Sequence, residues 1–236
     1  IAEDNLRDAF VAKYDTSGGY LWGHSFDWGH GGSIDDVGIT TDSLGFIYIT
    51  AGYTGFIDFD PGPATNYGGA SGSAFLLKLT PNGDFHDLWL WGDGTGQATP
   101  TEIHLDAQGN KYIAGRFYGS VDFDPGPGTF TISTISANAP DDIFLLKLDA
   151  AGNFQWVRKY GSWHIDHFPD IAISNDGYVH MMWQNTTGVA TDPGPFPAYF
   201  SPGGLADAYF FQLAPNGNLT WVRQIAGEFV DQPGGI

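Results

Sequence analysis

The chain has 236 residues, of which 34 are Gly and 14 Pro, so the backbone is interrupted too often for long helices and a helical bundle is excluded. Nine Lys and Arg stand against 27 Asp and Glu, and this net charge of −18 repels phosphate backbones and anionic lipid, which excludes nucleic acid and membrane surfaces as partners. Eighteen Phe, 11 Tyr and 8 Trp are too much apolar matter for a disordered acidic chain, and with no Cys there is no disulfide, thiol nucleophile or zinc–thiolate site.

In chain order, the first recurrent element is Phe10-Val-Ala-Lys-Tyr-Asp-Thr-Ser-Gly18, which returns as Phe75 to Gly83, Phe144 to Gly152 and Tyr209 to Gly217, at offsets of 65, 69 and 65. A second element, Asp42-Ser-Leu-Gly45 followed by Ile47-Tyr-Ile-Thr-Ala-Gly52, returns as Asp106 to Gly115 and more loosely as Asn175 to Met182. The third is Asp58-Phe-Asp-Pro-Gly-Pro63, repeated at Asp122 to Pro127 and degraded at Ala190 to Pro195. Three signals on one period define a repeat protein.

Within one period, apolar alternation predicts four strands: A over Val37 to Thr41, B over Phe46 to Tyr53, C over Ala74 to Thr80 and D over Phe85 to Trp91. Gly-containing turns join A to B and C to D. The long B–C (58–73) and D–A (92–101) connections are expected together at the opposite edge, where binding is expected. Four antiparallel strands per repeat predict an all-β fold of β-propeller type. Residues 1–30 supply strands C and D of a preceding blade; 31–95, 96–162 and 163–227 are full blades; 228–236 begin another. Three blades and a half cannot close a ring, so further chain or a partner chain is expected. No apolar run is long enough to span a membrane and Ile1 opens a polar stretch without a signal peptide, which reads as a processed product or an excerpt.

The Asp-x-Asp-Pro-Gly-Pro loops place carboxylates at i and i+2 of an extended segment. Asp58 with Asp60, Asp122 with Asp124, and Asp192 alone in the third repeat are therefore candidate Ca²⁺ ligands. The same residues equally suit a turn in which Asp accepts backbone N–H bonds, and both readings stay open. Further acids fall at the starts of A strands (Asp36, Glu102, Asp170) and C strands (Asp8, Asp142, Asp207), giving an acidic edge. His24 and His30, and His164 and His167 around Asp166, lie in D–A connections as loop histidines or a weak metal pair, whereas His104 and His180 fall within strands as packing groups. Trp22, Trp156 and Trp221 each follow a turn glycine by four residues, with Trp89 or Trp91 serving in the remaining repeat, a placement that suits packing between blades. Trp28 and Trp163 fall in loops and are the candidate ligand-binding aromatics.

The stretches Asp8-Ala-Phe-Val-Ala-Lys13, Asp42-Ser-Leu-Gly-Phe-Ile-Tyr-Ile-Thr50 and the Gly-rich run 29–36 resemble the bacterial seven-bladed β-propeller (SBBP) repeat. The resemblance covers essentially the whole chain. It implies a seven-bladed propeller in an exported or cell-surface bacterial protein, often one using type IX secretion, with no catalytic signature. Gln212 departs from the pattern where the other repeats carry Lys13, Lys78 and Lys147. The expected function is a non-enzymatic extracellular scaffold for protein interaction, adhesion or assembly, with Ca²⁺ as a possible stiffener. Two alternatives are a propeller that binds cell-surface glycans through Trp28 and Trp163, and a Ca²⁺-dependent hydrolase, which the absence of a basic phosphate-holding cluster disfavours.

Overall fold

The computed structural model describes residues 9–26, 33–68, 74–92, 95–134, 141–161, 169–185, 189–191, 199–200 and 207–228. All regular elements among them are strands. β1 (Ala9–Tyr14) and β2 (Tyr20–Phe26) form an opening hairpin. β3 (Ser33–Thr41), β4 (Ile47–Thr54), β5 (Ala74–Leu79) and β6 (Phe85–Trp91) make the first four-stranded antiparallel sheet, in that order. In the second, β7 (Gln97–Leu105) and β8 (Lys111–Tyr118) carry a short excursion, β9 (Ser120–Asp122) and β10 (Thr131–Ser133), before β11 (Asp142–Leu148) and β12 (Phe154–Gly161). The third runs through β13 (Asp170–Ile173) and β14 (Val179–Asn185), an excursion of β15 (Val189–Thr191) and β16 (Tyr199–Phe200), then β17 (Asp207–Leu213) and β18 (Leu219–Ile225).

Each sheet is thus the expected A–B–C–D meander, and the arrangement is propeller-like. The A strands begin earlier than periodicity indicates, at Ser33 and Gln97, because a bulge absorbs one residue and pairing continues beyond it. In β3 the extra residue is Asp36, held at φ 44°.

The core lies between sheets. Ala74 and Leu76 pack with Tyr48 and Trp91 against Ala98, Ile103, Phe144 and Leu146 of the second sheet. From the opposite face of the second sheet, Ile143, Leu145 and Tyr160 meet Ile171, Met181, Trp183, Tyr209 and Phe211 of the third. Val11 and Phe26 of the opening hairpin pack likewise on the first. A strand buried on both faces needs apolar residues at successive positions, which is why the C strands read Phe-Leu-Leu rather than alternating.

Turn chemistry sets the register. Asp42 Oδ1 accepts from Leu44 N–H and Phe46 N–H, at 2.9 and 3.0 Å, and Asp106 and Asp149 repeat the arrangement. Every C–D turn closes on a positive-φ glycine (Gly18, Gly83, Gly152, Gly217) and is followed by a bulge in the D strand, where Leu21, His86, Gln155 and Thr220 are the extra residues.

The long B–C connections do not stay at the far edge as expected. In the second sheet, β9 and β10 pair as a strap that folds back over the outer strands, with Gly92 N–H of the first sheet bonding Asp122 O at 2.9 Å. The strap tip at Pro125 to Gly128 reaches Trp89, Gly152 and Asn153 at the tight-turn edge. In the third sheet, β15 joins β12 of the second directly, pairing Gly161 with Ala190, and β16 extends the sheet to six strands. An outer strand is an unsatisfied edge, and backbone pairing there outweighs leaving the connection in solvent.

Candidate functional site

The residues that recur most faithfully meet at the junctions between sheets. Lys13 Nζ donates to Pro81 O at 2.7 Å and Trp22 Nε1 to the same oxygen at 3.4 Å, so the opening hairpin grips the C–D turn of the first sheet. Two repeat periods later, Lys147 Nζ and Trp156 Nε1 donate to Pro215 O at 3.0 and 3.1 Å, and Arg158 adds bonds to Gly217 O and Asn216 O. The indole also covers the turn glycine: a Cβ on Gly83 or Gly217 would stand 3.1 or 2.8 Å from Trp22 or Trp156.

Between the first and second sheets the clasp is rebuilt. The position opposite Lys78 is Asp87, and Trp89, two residues further along the same face, covers Gly152. Of the two tryptophans the sequence left open, Trp89 therefore fills the junction role and Trp91 lies in the core. Lys78 turns instead over the Phe46 ring, 4.4 Å from its centroid. Lys111, 1% exposed, takes over and donates to Ala150 O at 2.6 Å and Asp149 O at 3.1 Å. Burial, and then the nearby Lys78 charge, pull its amine down to about 8. Sequence reading passed over Lys111, although its counterparts Ile47 and Val179, each the first residue of a B strand, are apolar and buried.

The Asp-x-Asp loops are turns. Asp58 Oδ1 accepts from Asp60 N–H at 3.1 Å and Asn66 N–H at 2.8 Å, and Asp122 Oδ1 from Asp124 N–H and Phe130 N–H at 3.1 and 2.7 Å. Asp60 and Asp124 each accept from the glycine two residues on, at 2.8 Å. Between each pair a phenylalanine plunges inward, Phe59 4.6 Å from Phe75 and Phe123 4.8 Å from Phe144, ring centre to ring centre. Ca²⁺ needs six to eight oxygens. Each carboxylate gives its Oδ1 to amides, two side chains per loop supply fewer oxygens than that, and among the described residues no three His, Asp or Glu side chains gather as a metal-binding group. Asp192, Trp28 and Trp163, together with His30, His164, Asp166 and His167, lie outside the described residues.

The edge acids are partly structural. Asp142 and Asp207 are fully buried at the starts of β11 and β17, and Gln224 Nε2 donates to Asp207. Arg116 NH1 and NH2 lie 3.0 and 3.7 Å from Asp141 and Asp36, bridging the second sheet to the first. His24 lies on Trp22 over Gly83, while His180 accepts from Gln212 Nε2 at 2.9 Å. Four aromatic side chains of the B–C connections, Phe56, Tyr67, Tyr118 and Phe130, are exposed beside the Gly, Pro and Thr of the loop tips.

No family model matches the chain. It is similar to an uncharacterized WD repeat-containing protein, L264, of Acanthamoeba polyphaga mimivirus, with 21% identity over 277 aligned residues that cover 96% of this chain. The chain spans 19% of that protein's length. WD repeats form four-stranded propeller blades, the same unit as these sheets.

Proposed function

We propose that the chain is a segment of a β-propeller whose blades are the three sheets described above, and that it serves as a non-enzymatic scaffold docking protein partners on its outer rim. The observation that carries this reading is the division of labour among the repeated residues. Asp58, Asp60, Asp122 and Asp124 are bound to turn amides, and Trp22, Trp89, Trp156 and the clasp lysines are bound into junctions, while Phe56, Tyr67, Tyr118 and Phe130 face solvent on the rim. Aromatic side chains are the residues by which protein interfaces are distinguished from other surface. The similarity to a WD repeat-containing protein supports an interaction scaffold in general terms. The resemblance to SBBP repeats extends the proposal to export and a bacterial cell-surface or extracellular setting.

The test is a triple variant, Tyr67→Ser, Tyr118→Ser and Phe130→Ser, compared with the parent chain for capture of partners from the culture medium and cell envelope. A protein partner held by the parent and lost by a variant of unchanged melting temperature supports rim docking. Binding on a glycan array that the rim variant loses would replace the protein partner with a sugar, and turnover of ester or glycosidic substrates would overturn the non-enzymatic reading.

A further inference from the structure

Two residues by which the second sheet departs from the first converge on one pocket. Phe130 stands where the first sheet has Asn66, each donating its N–H to the leading Asp of its loop, Asp122 or Asp58. Arg158 stands where the first sheet has Trp89, two residues beyond the position opposite the C-strand lysine. The Phe130 and Phe154 rings lie against each other, 4.8 Å between centres and tilted by 30°. With Lys147 and Arg158 they line an open pocket of about 500 Å³ that reaches the Pro215 and Asn216 turn of the third sheet. Both walls are complete A–B–C–D sheets. In a chain of net charge −18 this lining is cationic. Among the described residues no Asp or Glu lines it, and neither Lys147 nor Arg158 forms an ion pair. At the junction of the first and second sheets, by contrast, the C-strand Lys78 has Asp87 opposite it. Arg158 gives three of its five N–H groups to the carbonyls of Val157, Asn216 and Gly217, which keeps one on each terminal nitrogen for an incoming oxygen. Lys147 is fixed in the same way by Pro215 O at 3.0 Å. Carbonyls hold both cations in place without neutralising them.

We infer that this pocket binds an acidic segment of a protein partner, with an Asp or Glu carboxylate on Arg158 and Lys147 and the apolar side chain next to it on Phe130. The inference rests on the rim-docking reading and names the chemistry of the partner. Charge complementarity selects the carboxylate, since a guanidinium already oriented by backbone oxygens loses little freedom in taking one. The phenyl rings select an apolar neighbour: Phe130 is 43% exposed and offers no hydroxyl or indole N–H. An acidic sugar fits less well, because its hydroxyls need polar partners and the Gln155 amide is already engaged by Asp149 and by the carbonyl of Phe154. Arg beside an aromatic ring is also the pairing that anchors protein interfaces.

The probe is the acetylated and amidated peptide Gly-Leu-Glu-Phe-Gly, titrated to millimolar concentration into the 236-residue chain and followed by NMR shifts of backbone amides and of the Arg158 Nε–H. Saturable shifts at Phe130, Phe154 and Arg158 are expected, with binding weaker by about tenfold or more when Gln replaces Glu in the peptide. Phe130→Asn installs the residue of the first sheet at an exposed position, so it should weaken the probe without moving the melting temperature. Arg158→Gln should abolish binding. No saturable shift, or equal binding of the Glu and Gln peptides, would overturn the acidic ligand. Binding of a glucuronate disaccharide in place of the peptide would overturn the protein partner in favour of a sugar. The double variant Tyr67→Ser and Tyr118→Ser leaves the pocket intact and separates this inference from rim docking. Partner capture lost in that variant but kept by Phe130→Asn would retain rim docking and overturn the pocket.

Discussion

Lys111 shows how one residue can set a pH response. Its amine is held at about 8 in the folded chain against an ordinary value of 10.5, chiefly by burial. Between those values the unfolded chain keeps a proton that the folded chain has released, so stability rises with pH across the window. Below it, the penalty is present in full. Tyr48 acts oppositely at higher pH, because burial and Asp42 push its phenol up to about 12 and the unfolded tyrosine ionises first. The melting temperature should climb from pH 8 to 10 and then fall. In Lys111→Ile the climb should shrink to what Lys147, also lowered by burial, contributes, as read by circular dichroism melts at half-unit steps of pH. The turn glycines give a second residue-level test. Gly152 has φ 90° and a Cβ there would run into Trp89 Nε1, whereas Gly109, at φ 81°, meets nothing closer than Ala150 Cβ at 3.7 Å. Gly109→Ala should cost about 1 kcal/mol for backbone strain alone. Gly152→Ala should add about 1–3 kcal/mol for overpacking, both read by denaturant unfolding.

At the scale of elements, the strap is held by one carboxylate and one ring. Asp122→Ala removes the acceptor of two amides and should destabilise by about 1.5–3 kcal/mol per charged hydrogen bond lost, with faster hydrogen exchange at Asp124 and Phe130. Asp122→Asn keeps an acceptor oxygen and should behave nearly as the parent, and a chelator should leave the melting temperature of both unchanged. A Ca²⁺ site would respond in the opposite way on both counts. Much of this scale is legible in the sequence. The C strands announce themselves by apolar runs buried on both faces, and the tight turns by Asp and Gly at fixed spacing. The strap's course is not legible, because it is set by backbone pairing to the outer strand of another sheet, which leaves no periodic trace in side chains. The Asp-x-Asp motif shows its oxygens but not the amides that claim them. Lys111 looks like a polar strand start until its neighbours Trp89 and Tyr48 close over it.

For the whole molecule, charge and stacking dominate. With a net charge of −18, the folded chain gathers like charges that the unfolded chain spreads apart. Salt shortens the screening length from about 30 Å at 0.01 M to about 3 Å at 1 M. The melting temperature should therefore rise with sodium chloride, and Arg116→Gln, which removes the cation between Asp36 and Asp141, should steepen that rise.

The strap also has a direction. It belongs to one sheet and shields the outer strand of the sheet before it, as β15 does for β12. A chain emerging from its N-terminus therefore leaves the outer strand of its newest complete sheet bare until about thirty further residues arrive. Folding in step with synthesis or translocation keeps that liability constant however many repeats are added. Release of the whole unfolded chain at once would bare every edge together.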